Sequence, residues 1–135
     1  MPDIRKLKFC RMLGKFAICR LAPDAAVPAW ALSGAFSSLT RTAEELSIVC
    51  ALENAPPEHK PESPWVGFKL EGPFPFTQTG VLASFIGPLA QSSVPIFAVA
   101  TYDTDYVFVD EKLADKAVRV LRTAGHELLR QTLSS

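Results

Sequence analysis

Residues 72–110 constrain the fold more than any other stretch. They run as a loop carrying prolines and ending at Gly80, then an apolar helical pattern, an apolar strand pattern, a turn reading Tyr102-Asp103-Thr104-Asp105-Tyr106, and a second strand pattern. Val81, Leu82, Phe85, Ile86 and Leu89 recur at helical spacing, so the helix lays a broad apolar face on a sheet. Pro88 lies inside this pattern and is expected to kink or shorten its end. Residues 94–100 are apolar on both faces, as a central strand beneath helices should be. Residues 105–109 read as their hairpin partner.

The flanking sequence extends this pattern. Residues 65–71 alternate across two faces as a preceding strand. Residues 112–123 form a second amphipathic helix with Leu113, Ala117, Val120 and Leu121 inward. Asp110 or Glu111 serves its N-terminus and Gly125 its end. Residues 126–133 read as an edge strand, with His126 as a cationic cap on the helix before it. The order from residue 65 is β-α-β-β-α-β, the ferredoxin-like split arrangement. Before it, residues 7–11 and 15–21 read as two short strands about Gly14. Residues 22–28, with Pro23 and Pro28, leave room for one helical turn at most. Trp30, Leu32 and residues 36–41 return to extended structure, residues 42–45 form a turn, and residues 46–52 a buried strand. Residues 54–64 hold several prolines and no apolar periodicity, which marks a linker.

The two halves match internally. Shifted by sixty positions, residues 36–49 lie on residues 96–109 without a gap, placing Leu39 on Val99, Glu45 on Asp105 and Val49 on Val109. Residues 16–21 match the strand around Phe68 at an offset of about fifty. The chain thus reads as a tandem of two α+β units, residues 1–60 and 61–135, the first with its helices much reduced.

Charge and composition exclude several classes. Fourteen basic and fourteen acidic side chains give a formal net charge of zero. That is no electrostatic footprint for nucleic acid or an anionic membrane. Arg5, Lys6, Lys8, Arg11 and Lys15 read as solubilising charge. No run approaches the roughly 20 apolar residues of a membrane span and no leader pattern opens the chain, so a cytoplasmic location is expected. Cys10, Cys19 and Cys50 are odd in number and set among apolar neighbours, as core thiols of a reducing compartment. His59 and His126 stand near no nucleophile in sequence, and no ligand spacing suggests a metal or cofactor. Two carboxylates, Asp103 and Asp105, are too few oxygen ligands for a calcium site. An enzyme is not expected.

One constellation can hold a ligand. A helix beginning at Gly80 offers unpaired backbone N–H groups and a positive dipole end to a carboxylate, beside Thr77, Gln78 and Thr79. The turn Asp103-Thr104-Asp105 offers carboxylates to an ammonium or guanidinium. An amino acid carries both ends. The same residues also suit purely structural roles, Thr79 as a helix cap and the aspartates as a hairpin turn.

The stretch TGVLASFIGPLA, followed by VPIFAVATYDTDYVFV, resembles an ACT domain. It is similar in particular to the ACT subfamily of small bacterial tandem-ACT proteins and CASTOR-type cytosolic arginine sensors. Trp30, FSSLTRT and EELSIVC resemble the N-terminal ACT-like unit of those bacterial proteins more loosely. The resemblance implies a ferredoxin-like βαββαβ ACT fold and a non-catalytic regulatory module that binds an amino acid at an interface between ACT units. Carried over by position, Thr79, Gly80, Val81 and Leu82 would approach the ligand backbone. Thr101, Tyr102, Asp103, Thr104 and Asp105 would line the facing strand and turn, with Asp105 taking a cationic group. A chain with one pair of units would need a homodimer to complete such a pocket, and a partner protein to receive the signal. The alternative is a structural or protein–protein interaction module whose pocket is vestigial.

Overall fold

The computed structural model describes residues 5–75 and 79–129. Among them the elements run β1 (Lys8–Arg11), β2 (Phe16–Leu21), β3 (Ser38–Arg41), β4 (Leu46–Ala51), β5 (Trp65–Leu70), α1 (Val81–Gln91), β6 (Phe97–Ala100), β7 (Asp105–Asp110), α2 (Ala114–Thr123) and β8 (Glu127–Leu128). By contact they fall into two units of a mixed α+β fold: residues up to Leu13 together with those from Val66 onward, and Gly14–Trp65. By sequence β1 falls within the N-terminal unit, residues 1–60. In the structure it joins the C-terminal unit.

In that unit the strand order is β8-β1-β5-β7-β6. β1 runs antiparallel to β5, with Phe9 opposite Leu70, and parallel to β8, with Lys8 opposite Glu127. The two short strands expected about Gly14 both form, but β1 takes its partners from β5 and β8 rather than from the strand that follows it. β6 pairs with β7 and lies at the end of this unit's strand order. The expectation of a central strand fails here, and the burial pattern shows why: Phe97 and Val99 are half-buried while Ala98 and Ala100 are exposed. The core is built on Phe9, Phe68 and Phe85, whose rings meet edge to face at centroid distances of 5.7 Å and 5.2 Å. Val66, Leu70, Leu89, Val107, Val109, Ala117 and Leu121 pack around them. Gly67 is held to glycine by this packing. A Cβ there would stand 2.7 Å from Met12 Sδ and 2.8 Å from the Phe108 ring.

Pro88 does not end α1, which continues to Gln91. A proline has no N–H to return to the carbonyl four residues earlier, here that of Ser84. His126 fills the gap. Its Nδ1 accepts from the Leu7 N–H at 3.0 Å, so Nε2 carries the proton and donates to the Ser84 carbonyl at 2.9 Å. The ring is buried and lies 5.5 Å from that of Phe85. The expected cationic cap is in fact a core bridge between β1, α1 and the end of α2. The α2 terminus is closed by the backbone, with Gly125 N–H donating to Arg122 and His126 N–H to Leu121 across a left-handed Gly125. The same closure ends α1, with Ser93 in the left-handed position at φ 60°. Residues 130–133 of the expected last strand lie outside the described residues.

The second unit orders its strands β3-β4-β2, as the first orders β6-β7-β5. Where the first inserts α1, the second has a short 3-10 turn, Ala29–Leu32, instead of the extended chain expected there. Ala17, Cys19, Leu46, Ile48 and Cys50 form its core, with Trp30 and Leu39 packed against them. Trp30 stacks on the His59 ring at 5.7 Å, so the proline-rich stretch is a cover for this core as well as a connection. Cys10, Cys19 and Cys50 are free thiols. Desolvation pushes Cys19 up to about 11, which suits a buried, unreactive thiol.

The hairpins of the two units share their turn. In β3–β4, Arg41 pairs with Leu46, and Thr42 N–H donates to the Glu45 carbonyl at 2.9 Å. In β6–β7, Ala100 pairs with Asp105, and Thr101 N–H donates to the Thr104 carbonyl at 2.9 Å. A 3-10 turn follows each, Leu52–Asn54 and Glu111–Leu113, preceded by residues at φ −58°, ψ 137° and φ −57°, ψ 137°. Aligning 41 and 46 with 100 and 105 gives an offset of 59 rather than 60. The ungapped sequence match is therefore one residue out of register.

Candidate functional site

The site begins with the β6–β7 turn. Thr101 holds it locally, its hydroxyl donating to the Thr104 carbonyl at 2.9 Å. Thr104 then fixes the turn to β5. Its buried hydroxyl donates to the Leu70 carbonyl at 2.7 Å, so this side chain is spent on structure. Phe74 N–H donates to the Asp103 carbonyl at 2.9 Å, and a Cβ on Gly72 would stand 2.9 Å from that same oxygen. The loop after β5 and the turn after β6 therefore lie against each other, with a cis peptide between Gly72 and Pro73. Pro73, Phe74, Pro75, Tyr102 and Asp103 line a cleft of about 370 Å³ there. Tyr102, at 79% exposure, stands largely in solvent.

Asp105 opens β7. Strand alternation puts it in one row with Val107 and Val109, both in the core. At the end of that row it is half-buried, and desolvation raises its carboxyl above the usual carboxylate value. Among the described residues no cation offsets that rise.

The helix start is held separately. Gly80 is the N-terminal cap residue of α1 in the left-handed region at φ 78°, and no side chain caps the helix, so Thr79 does not play the capping role. Arg5 Nε donates to the Thr79 carbonyl at 3.2 Å and the Arg5 N–H to Ser84 Oγ at 3.3 Å, while Ser84 Oγ donates to the Gly80 carbonyl at 2.8 Å. Val81 is buried and Leu82 packs on the core. Thr77 and Gln78 lie outside the described residues. Of the nine residues singled out by sequence, Thr101, Tyr102, Asp103, Thr104 and Asp105 are gathered with Leu70, Gly72 and Phe74. Thr79 and Gly80 are tied to Arg5 and Ser84, and Val81 and Leu82 to the core. Sequence reasoning missed Arg5 and Phe74: a lone arginine on a strand approach carries no signal. The GPFPF run could have flagged a shaped loop. No group of three or more His, Cys, Asp or Glu side chains able to hold a metal occurs among the described residues. No described helix is long and apolar enough to cross a membrane.

Comparison with known proteins places this geometry. Residues 61–123 match the ACT domain profile, and residues 14–58 match a profile describing an N-terminal domain. The crystal structure of a protein from Agobacterium tumefaciens shares 40% identity over 95% of this chain and 96% of that one, with a TM-score of 0.87. A Vibrio cholerae structure, described as of unknown function and a possible transport protein, superposes with a TM-score of 0.72 at 19% identity, over 94% of this chain and 92% of that one. Aspartate kinase from Clostridium acetobutylicum, described as an allosteric enzyme, aligns with a TM-score of 0.57 at 13% identity. That match takes in 82% of this chain but 33% of the kinase, and it carries the fold alone. No curated protein matches. ACT domains are in general regulatory ligand-binding modules. The chain is therefore an ACT-domain protein, of the same family as the Agobacterium tumefaciens structure, with residues 61–123 as its ACT-type domain.

Proposed function

We propose that the chain is a non-catalytic regulatory module of two tandem ACT-like units, which binds an amino acid through the C-terminal, ferredoxin-like one. The observation that carries the reading is Asp105, a half-buried carboxylate offset by no cation among the described residues, beside a turn stapled to the loop that leads into α1. Burying a charge without a partner is unfavourable, and a ligand ammonium or guanidinium would relieve it. The α1 N-terminus at Gly80 offers backbone N–H groups for the opposite end of the ligand. Thr79, Val81 and Leu82 contribute main-chain contacts. Thr101, Tyr102 and Asp103 border the site, and Thr104 holds its turn in place. A second copy of the chain completes the pocket, so the working form is a cytoplasmic homodimer that passes ligand occupancy to a partner protein. Short, half-exposed β6 at the end of its unit's strand order supports an assembly through that edge.

Calorimetric and thermal titration with each standard amino acid tests this. A ligand at a hundred times its dissociation constant adds about 2.7 kcal/mol of stability. The expected result is one responsive class of amino acid, with the response lost in Asp105→Asn. Silence across all of them would leave the interaction module as the reading. A response undiminished in Asp105→Asn would displace the site.

A further inference from the structure

We propose that the groove between the C-terminal half of α1 and the outer side of α2 is a second ligand site. It would take a small anionic molecule carrying a carboxylate or phosphate on an apolar body. The groove encloses about 560 Å³, inside the roughly 300–1,000 Å³ range of small-molecule sites. Pro88 and Val120 supply an apolar floor. Gln91, Ser92, Arg119 and Thr123 supply the polar rim. Each of those four side chains can donate a hydrogen bond, and no acidic residue lines the groove. A rim of donors around a guanidinium selects acceptor-rich anions, because the arginine fork matches the two oxygens of a carboxylate or phosphate.

Two helix ends close on the same groove, and bare C-terminal carbonyls would repel an anion. Here three carbonyls at each end already have donors. Pro88, Leu89 and Ala90 accept from the N–H groups of Ser92, Val94 and Ser93. Val120, Leu121 and Arg122 accept from those of Ala124, His126 and Gly125. Arg119 and Thr123 stand four residues apart on α2, so they share one face of the helix. Arg122, exposed one turn further on, adds positive potential from outside the lining.

The test uses the full-length chain, isotopically labelled for amide NMR, titrated with inorganic phosphate and then with citrate. The expected result is saturable shifts centred on the amides of Gln91, Ser92, Arg119 and Thr123, with citrate the tighter of the two. Arg119→Gln should weaken citrate about tenfold, the loss of one charge-assisted bidentate contact. Thr123→Val should weaken it less. Arg122→Gln should change it under twofold. Because Arg119 and Arg122 are both exposed, neither variant threatens the fold, and unchanged melting temperatures verify that. Linear, unsaturable shifts spread over all basic residues would overturn the proposal, since they describe ionic atmosphere. So would equal weakening by Arg119→Gln and Arg122→Gln.

Discussion

The bridge from His126 to the proline-interrupted helix gives the sharpest test of how this fold is held. His126→Ala removes the acceptor for the buried Leu7 N–H and the donor for the Ser84 carbonyl, at 3.0 Å and 2.9 Å in the native chain. Each group left buried without a partner costs about 1–3 kcal/mol. The void left beside Phe85 adds to that, for a total of at least about 2 kcal/mol. The assignment of one part of this cost to Ser84 is separately testable, because its carbonyl needs His126 only while residue 88 lacks an N–H. Pro88→Ala restores that N–H. It should therefore stabilise the His126→Ala protein about 1–2 kcal/mol more than it stabilises the wild type, as the coupling of a double-mutant cycle. Urea unfolding followed by far-ultraviolet circular dichroism is the assay, since both described α-helices belong to the unit concerned. A loss below about 1 kcal/mol in His126→Ala would refute the bridge as a major constraint. Equal effects of Pro88→Ala in the two backgrounds would refute the link between the proline and the histidine.

Ser93 holds a left-handed conformation at φ 60° that closes α1. Ser93→Gly should raise stability by about 0.5–1 kcal/mol, net of the freedom glycine adds to the unfolded chain, and chemical denaturation would read it. Asp105 has its folded carboxyl raised by desolvation above the unfolded value. Its protonated form therefore favours folding below the unfolded value, and that contribution is lost as pH rises through the folded one. Asp105→Asn should accordingly melt higher than wild type at neutral pH without ligand, with the gain vanishing under acid conditions. A lower melting temperature at neutral pH would show that the carboxylate is satisfied within the chain.

Patterns local in sequence carried most of the C-terminal unit. The spacing of Val81, Phe85 and Leu89 located α1, and Ala117 with Leu121 located α2, because a helix on a sheet must bury one stripe. Asp110 was legible as a cap, and its Oδ1 does accept from the Lys112 N–H at 2.8 Å, though what it caps is the 3-10 turn before α2 while α2 itself has no side-chain cap. What escaped was set by long-range pairing. Nothing within residues 8–11 says that they pair with residues on β5 and β8 rather than with the next strand, and β6 reads as a central strand because its apolar alternation is silent about neighbours. Pro88 read as a kink or an early end to α1 because its missing N–H was legible and the histidine that compensates for it, 38 positions on, was not. In the candidate site, the Asp103 and Asp105 carboxylates could be named from sequence. The anchoring of their turn to Leu70 and Phe74 could not.

The one-residue error in the internal match bears directly on where a ligand belongs. At an offset of sixty, Glu45 stands where Asp105 stands, and each unit carries an acid at the head of its second hairpin strand. The strand registers give 59 instead, because Arg41 and Leu46 are paired as Ala100 and Asp105 are. In a strand a shift of one residue moves every side chain to the other face. The residue equivalent to Asp105 is thus Leu46, 1% exposed and packed with Ile48 and Cys50. Glu45 instead matches Thr104, within the turn, and its carboxylate already pairs with Arg20 at 3.3 Å. The helix that would present N–H groups opposite is replaced by Ala29–Leu32, a 3-10 turn too short to have the dipole of an α-helix. Both chemical ends of an amino-acid site are therefore missing from the N-terminal unit for separate structural reasons. A Leu46→Asp substitution would bury a charge in the apolar core there without creating a second site.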